Sequence, residues 1–358
     1  MFTPPTSWSS VPGELLPRLD PRHILHLLAP AFGDNPEAGA QAARSALHSW
    51  LTDNVMRRDD EPALYVYEQP GTGASVRGVI GVVEHTSSQP AFLDHEEIIA
   101  PLVDVQRTLE RTMHAHIEPI LALHRNSPPL RAVLDAIAAT PPDMSITDPS
   151  TGVHRLWRVT DESTCHAITD AIPDEPCLIA DGHHRHAAWR HDALTLLTDI
   201  DQPGLRMGAI HRVVAGLAAA NVLASPLVRT APLPDRSAAL RYLERDLEAH
   251  CVLYAEGRFY AATPTQPDAR CAAPSLAVCH LHSQWLPAWG ATEANVSYVH
   301  EFEEAIALAG DDHLAILLPV PSREQVVASA HSGRPLPRKA TSFRPKPLIG
   351  TVLNVWDS

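Results

Sequence analysis

Apolar positions along the chain recur with two periods. Alternation, or a short continuous apolar run, predicts strands over residues 63–68, 76–83, 152–159, 177–180, 205–214, 296–300, 314–320 and 349–355. Spacing of three to four predicts helices near 21–28 and over 41–51, 99–113, 129–139, 166–172, 238–249, 301–308 and 324–330. A further helix is expected from His183 to about Thr198, because Ala187, Ala188, Leu194, Leu196 and Leu197 fit helical spacing. Residues 116–123 read as a short strand or a helix end, and 276–286 as a strand followed by a helix. Two hairpins are expected, one closed by Gln69-Pro70-Gly71-Thr72-Gly73 and one by Glu256-Gly257. The glycine-rich loop is a poor phosphate cradle because it joins antiparallel strands and opens no helix. Strands and helices alternate without an internal repeat, so the expected class is α/β to α+β with a mixed sheet.

One junction carries most of the chemistry. Cys177-Leu178-Ile179-Ala180 is a buried-strand run, Asp181-Gly182 breaks it, and His183-His184-Arg185-His186 opens the next helix. Gly182 lets a ligand approach the backbone. A helix start offers unpaired N–H groups, and the histidines and Arg185 add donors of positive or switchable charge. A phosphate suits such a turn. A cation shared by Asp181, His183 and His186 is the second reading, and a solvated helix start is the third. Upstream, His95-Glu96-Glu97 follows a short strand. Acids at a helix start are ordinary dipole partners, and a histidine beside glutamates is also how a general base is placed.

The chain has 358 residues, enough for two domains, and its 45% apolar content supports a full core. A formal charge of −14 argues against a nucleic-acid-coating surface and leaves a local basic pocket for a small anion. Five cysteines (165, 177, 251, 271, 279) without CxxC spacing read as reduced, mostly buried thiols of a cytoplasmic protein. No signal segment or membrane-spanning run is expected. Only two of the 28 basic residues are lysine, Lys339 and Lys346. Their closeness suggests positions that want a compact ammonium and not a planar fork.

Ala180-Asp181-Gly182-His183-His184-Arg185 resembles the ADGHHR signature of domain-of-unknown-function family 1015. Tyr65-Val66-Tyr67, Gly78-Val79-Ile80-Gly81, His95-Glu96 and Gly152-Val153-His154-Arg155-Leu156-Trp157 follow that family's order. So do His211-Arg212 and Pro337-Arg338-Lys339-Ala340-Thr341 through Pro345-Lys346, which extends the likeness over about residues 60–355. The chain departs from the pattern in three places. It lacks the usual Pro-Pro-Tyr-Asp-Val opening, carries Val103 where a lysine is usual, and carries Ala340 where a serine is usual. The same elements resemble, more distantly, the nucleotide pocket of ParB/sulfiredoxin-fold free-serine kinases.

That resemblance implies a division into a diverged N-terminal segment (1–60), a ParB/sulfiredoxin-like core (61–215), and a C-terminal α+β subdomain (216–358). The Lys339–Lys346 segment of the last is expected to return to the site. It also implies a kinase that moves phosphate from ATP or ADP, with Mg²⁺, to the hydroxyl of free serine or a serine-like metabolite. In this reading Glu96 is the base, and Asp181 and His183 are catalytic, with Asp181 the metal contact. Gly182, His183, His184, Arg185, Lys339, Thr341 and Lys346 hold the nucleotide. His95, Arg107 and His154 face the substrate, with Arg107 suited to a carboxylate. His154 and His211 also read as structural strand histidines. The expected partner is a small molecule, with no nucleic acid and no membrane, and a homodimer is compatible with the sequence. A ParB-like nucleotide switch and a metal-dependent hydrolase using the histidine cluster are the alternatives.

Overall fold

The computed structural model describes residues 23–84, 91–189, 192–245, 247–266, 275–310 and 313–356. Residues 1–22 of the diverged N-terminal segment, Arg190, His191 and Cys271 lie outside them. The chain divides into two compact units. The first comprises Met1–Leu93, Ile98–Arg206 and Pro345–Ser358, and the second Asp94–Glu97 and Met207–Arg344.

In the first unit the elements run α1 (Leu25–Leu28), α2 (Pro36–Thr52), β1 (Leu64–Pro70), β2 (Ser75–Glu84), β3 (Phe92–Leu93), α3 (Ala100–Met113), β4 (Ala115–His116) and β5 (Ile120–His124). They continue with α4 (Pro128–Ala138), β6 (Met144–Asp148), β7 (Gly152–Val159), α5 (Glu162–Asp170), β8 (Cys177–Asp181), α6 (His183–Ala188) and β9 (Asp192–Asp199). An eight-stranded sheet has the order β3-β8-β5-β9-β2-β1-β7-β6. Its β3/β8 and β5/β9 pairs are parallel and the others antiparallel, so the sheet is mixed, as the alternation of elements predicted. Leu130 and Leu134 of α4 and Ile168 of α5 pack with Val66, Val79, Trp157 and Ile179 of the strands. A separate cluster joins α1, α2 and α3 through Leu27, Leu47, Trp50, Leu109 and Met113. The C-terminal strand Asn354–Val355 pairs with β4.

The second unit contains β10 (Arg206–Ala209), β11 (His211–Ala215), α7 (Ala219–Leu223), β12 (Val228–Leu233), α8 (Arg236–Leu243), β13 (Cys251–Ala255) and β14 (Arg258–Pro264). Then come α9 (Ala277–His280), a π-helical turn (Leu281–Trp285), α10 (Leu286–Ala288), β15 (Val296–Val299), α11 (Phe302–Ala309), β16 (His313–Leu317), α12 (Arg323–His331) and β17 (Thr341–Arg344). Six strands form an antiparallel sheet, β12-β14-β13-β16-β11-β15, and β10 pairs with β17. Ala239 of α8 and Ala305 and Ala309 of α11 pack on Val213, Val252 and Leu317. The Glu256-Gly257 hairpin forms as expected, with both residues at positive φ.

Several expectations change. The helix from His183 stops at Ala188, where Trp189 turns extended, and 194–198 belong to β9. β9 lies between β5 and β2, so Ala193 through Asp199 are buried on both faces. A centre strand covered on both faces reads as a continuous apolar run, which short-range periodicity cannot separate from a helix. The 205–214 strand is broken at Ile210 into β10 and β11. Residues 277–288 are helical throughout, so the strand expected at the start of 276–286 is replaced by helix. Of the final strand only Asn354–Val355 forms, while β17 arises within the proline-rich motif. The four described cysteines are free thiols. Burial pushes Cys177 up to about 11 and Cys251 up to about 12, so both stay protonated. Among the described residues no helix is long and apolar enough to cross a membrane.

Candidate functional site

In the first unit the ADGHHR turn sits where β8 ends. The β5/β8 register shifts between Leu121, opposite Asp181, and Ala122, opposite Ile179. That bulge re-aims the side chain at the strand end, where Asp181 stands. Gly182 follows at φ 98, a left-handed conformation that glycine adopts freely. A Cβ there would fall 2.9 Å from both the Arg185 guanidinium and Ile120 Cγ2. Glycine is therefore required twice over, by backbone angle and by space.

Arg185 locks the turn from beneath. It donates to Glu118 Oε2 at 2.8 Å, to the Pro119 carbonyl at 3.1 Å and to Asp181 Oδ2 at 3.0 Å. Its side chain is 9% exposed and that of Glu118 6%, so this is a buried ion pair. The guanidinium that sequence reasoning assigned to phosphate is thus committed to the protein. Glu118 escaped that reasoning, although an acid inside the apolar 115–123 stretch was the signal available.

The other half of Asp181 meets Lys346, whose Nζ lies 2.6 Å from Oδ1. The Lys346 segment is fixed from both sides. Gln69 Nε2 donates to the Pro345 carbonyl, and Tyr67 Oη accepts the Leu348 N–H at 2.9 Å. The same hydroxyl meets His154 Nδ1 at 2.7 Å, and His154 Nε2 meets Thr151 Oγ1 at 2.7 Å. His154 is buried, and burial lowers its pKa, so it serves as a neutral link behind the lysine. Burial also raises the Tyr67 hydroxyl above its usual range, which keeps it a donor.

The histidines of the turn diverge. His183 is buried, His184 Nε2 accepts the Ile99 N–H at the start of α3, and His186 stands edge-on to Phe92. Among the described residues no group of three His, Cys, Asp or Glu side chains could hold a metal ion. Arg107 lies on α3 and pairs with Asp104 at 2.7 Å.

In the second unit Glu96 is held by the proline-rich motif. Its Oε1 accepts the Thr341 N–H and hydroxyl, both at 2.7 Å, and Oε2 accepts the Lys339 N–H at 3.2 Å. Lys339 has φ 59, so Lys339 and Thr341 aim neighbouring N–H groups at one point, an anion nest whose anion is Glu96. Buried His95 braces the arrangement, with Nε2 2.7 Å from Thr341 Oγ1 and its carbonyl accepting the Leu336 N–H at 2.7 Å. Arg212, fully buried, holds the Arg338 carbonyl at 3.2 Å and donates to His282 Nε2 at 3.0 Å. Burial lowers Arg212 to about 10, still protonated at neutral pH, and with the neighbouring arginines lowers His282 to about 3. His211 is structural: its Nδ1 accepts the Leu318 N–H.

These features define an α/β protein of two units, each with a clustered ionic motif: Lys346–Asp181 in one, Glu96 in its nest in the other. The chain belongs to the family described as protein of unknown function (DUF1015), whose model matches residues 14–284. No curated protein matches it. Among solved structures it is similar to a free serine kinase in complex with AMP, at 14% identity over 80% of this chain and 91% of that one, with a TM-score of 0.45. It is also similar to a conserved hypothetical protein from Pyrococcus furiosus, at 15% identity over 75% and 94%, TM-score 0.43. A third is C-terminally truncated SbnI from Staphylococcus aureus, at 9% identity over 74% and 82%, TM-score 0.39. Likeness at these values assigns neither ligand nor activity to this chain, which must come from its own residues.

Proposed function

We propose that the protein is a small-molecule kinase that uses ATP or ADP to phosphorylate the hydroxyl of free serine or a serine-like metabolite. The observation that carries this reading is the Lys346–Asp181 pair at a glycine-bearing strand end, with every supporting group already bonded to protein. Phosphoryl transfer asks little covalent chemistry of a protein and much charge placement. Lys346 supplies a compact ammonium on a flexible stem, suited to a phosphate oxygen, and Gly182 allows close approach of the backbone. A magnesium ion carried by the nucleotide fits Asp181, since Mg²⁺ commonly takes one or two carboxylates and completes its shell from phosphates and water. When bound, it would neutralise phosphate charge. Among the described residues the divergent histidines form no group of three donors of the kind a metal-dependent hydrolase needs.

Glu96 is proposed as the general base from its own surroundings. Both acceptor positions of Oε1 are filled by Thr341, whereas Oε2 takes one bond, from Lys339, and keeps a lone pair for a hydroxyl proton. Its orientation is fixed without a substrate, which is what proton abstraction requires. His183, His184, Lys339 and Thr341 are proposed for the nucleotide side, and His95 and Arg107 for the substrate side; His154, with both ring nitrogens engaged by Tyr67 and Thr151, acts behind Lys346 and not on a substrate.

The test pairs binding with turnover. ADP should raise the thermal midpoint of the wild-type protein, and Lys346→Ala should weaken that response at least tenfold in ADP concentration. Glu96→Gln should bind ADP normally yet lose roughly 10²–10⁴ in the rate of L-serine phosphorylation. Absence of nucleotide binding, or consumption of nucleotide indifferent to hydroxyl acceptors, would overturn the reading.

A further inference from the structure

At the other end of β5 from the ADGHHR turn, the first unit has a cavity of about 440 Å³. That size is typical of small-molecule sites. Leu121 faces Asp181, and His124, three residues on, is roughly 10 Å further along the strand. The two places are therefore separate. None of the residues assigned above to nucleotide or acceptor lines this cavity.

Its wall is chemically biased. Glu68, Asp135, Asp199 and Asp201 line it against Arg77 and Arg131, an excess of two negative charges. Arg155 pairs with Glu68 from outside the lining and reduces that excess to one. Arg77 bridges Glu68 and Asp135, and Arg131 pairs with Asp199, so both lining guanidinium groups are already bound to carboxylates. Leu130, Leu134 and Pro203 supply an apolar side.

His124 is the decisive group. It is 5% exposed and lines the cavity. Its Nδ1 lies 3.3 Å from the Arg125 carbonyl, which can only accept, so the ring proton is on Nδ1. Nε2 then carries the lone pair, and among the described residues no hydrogen bond to it is formed. Burial lowers the pKa of this imidazole, which keeps it an acceptor at neutral pH. Water in the cavity can satisfy this acceptor, and a ligand that displaces the water must bring a donor of its own. The donor must tolerate nearby carboxylates and carry an apolar body.

We infer that this cavity binds a primary alkyl amine as its ammonium ion, with one N–H on His124 Nε2, the charge beside Asp199 and the chain against Leu130, Leu134 and Pro203. Nε2 and the carboxylates reject an anion and leave a neutral alcohol without charge compensation. No step of the proposed phosphotransfer depends on this site.

The test titrates the full chain with n-pentylamine, 1-pentanol and pentanoate at constant ionic strength and neutral pH, read by calorimetry and ligand-observed NMR. The amine should bind saturably and at least tenfold more tightly than either control. His124→Leu should weaken it tenfold or more, and Ser75→Trp, an exposed position at the rim, should block it sterically. Asp181→Asn should leave amine binding unchanged, which separates this site from the nucleotide reading. Near-UV circular dichroism reports whether each variant folds, and if His124→Leu does not, Ser75→Trp decides. Equal affinity for amine and alcohol, no saturable amine binding, or full affinity in folded variants would each overturn the inference.

Discussion

Replacing Arg185 by leucine isolates what holds the ADGHHR turn together. The change deletes three hydrogen bonds and removes the Arg185 cation from the Glu118 carboxylate, 6% exposed. Breaking one partner of a buried ion pair costs about 3–5 kcal/mol, far more than the pair itself is worth. Local opening of the β5–β8–α6 region should therefore rise by roughly two to four orders of magnitude, at about 1.4 kcal/mol per tenfold. Hydrogen-exchange mass spectrometry on peptides covering 118–124 and 177–188 reads this directly, because exchange there reports the local opening free energy. Adding Glu118→Leu should restore part of the loss, since the buried carboxylate that faced Arg185 is gone. A penalty below about 1 kcal/mol, with ADP binding abolished instead, would refute the structural role given to Arg185 and return it to the phosphate.

Further outcomes follow from neighbouring positions. Gly182→Ala should destabilise the first unit by about 1–3 kcal/mol, measured by urea titration, because the side chain is strained at φ 98 and collides with Ile120 and Arg185. Tyr67→Phe orphans His154 Nδ1 and the Leu348 N–H, so it should cost about 1–3 kcal/mol and also weaken ADP binding through Lys346. Unchanged ADP affinity in a folded Tyr67→Phe protein would remove the link between that hydroxyl and the lysine. His211 is lowered to about 4 by burial and by Arg212. The unfolded chain takes up its proton near pH 6.5 and the folded one does not, so His211's contribution is complete above 6.5. It declines as pH falls toward 4, by about 3 kcal/mol in all. Chemical denaturation from pH 7 to 4 should show this slope, and His211→Gln should flatten it by one proton.

The sequence made the mixed sheet and most hairpins legible because amphipathic strands and turn residues act locally. Asp181-Gly182 announced the strand end because an acid and a glycine interrupt an apolar run. What escaped it depended on distant partners. β9 looked helical because its place in the sheet comes from β5 and β2, 75 and at least 108 positions away. Arg185 read as a phosphate ligand because nothing near it in sequence reveals Glu118, 67 positions upstream. The two lysines read as one motif, yet Lys346 pairs within the first unit while the Lys339 backbone serves Glu96 in the second.

The path of the backbone has a practical outcome. Because Asp94–Glu97 belongs to the second unit and Pro345–Ser358 to the first, no single cleavage releases either one whole. A fragment ending at Arg206 loses the lysine that meets Asp181, and one spanning 207–344 loses the carboxylate that gathers the Lys339 and Thr341 amides. Each half must borrow a short piece from beyond its own stretch, so gene dissection at residue 206 should yield two incomplete proteins.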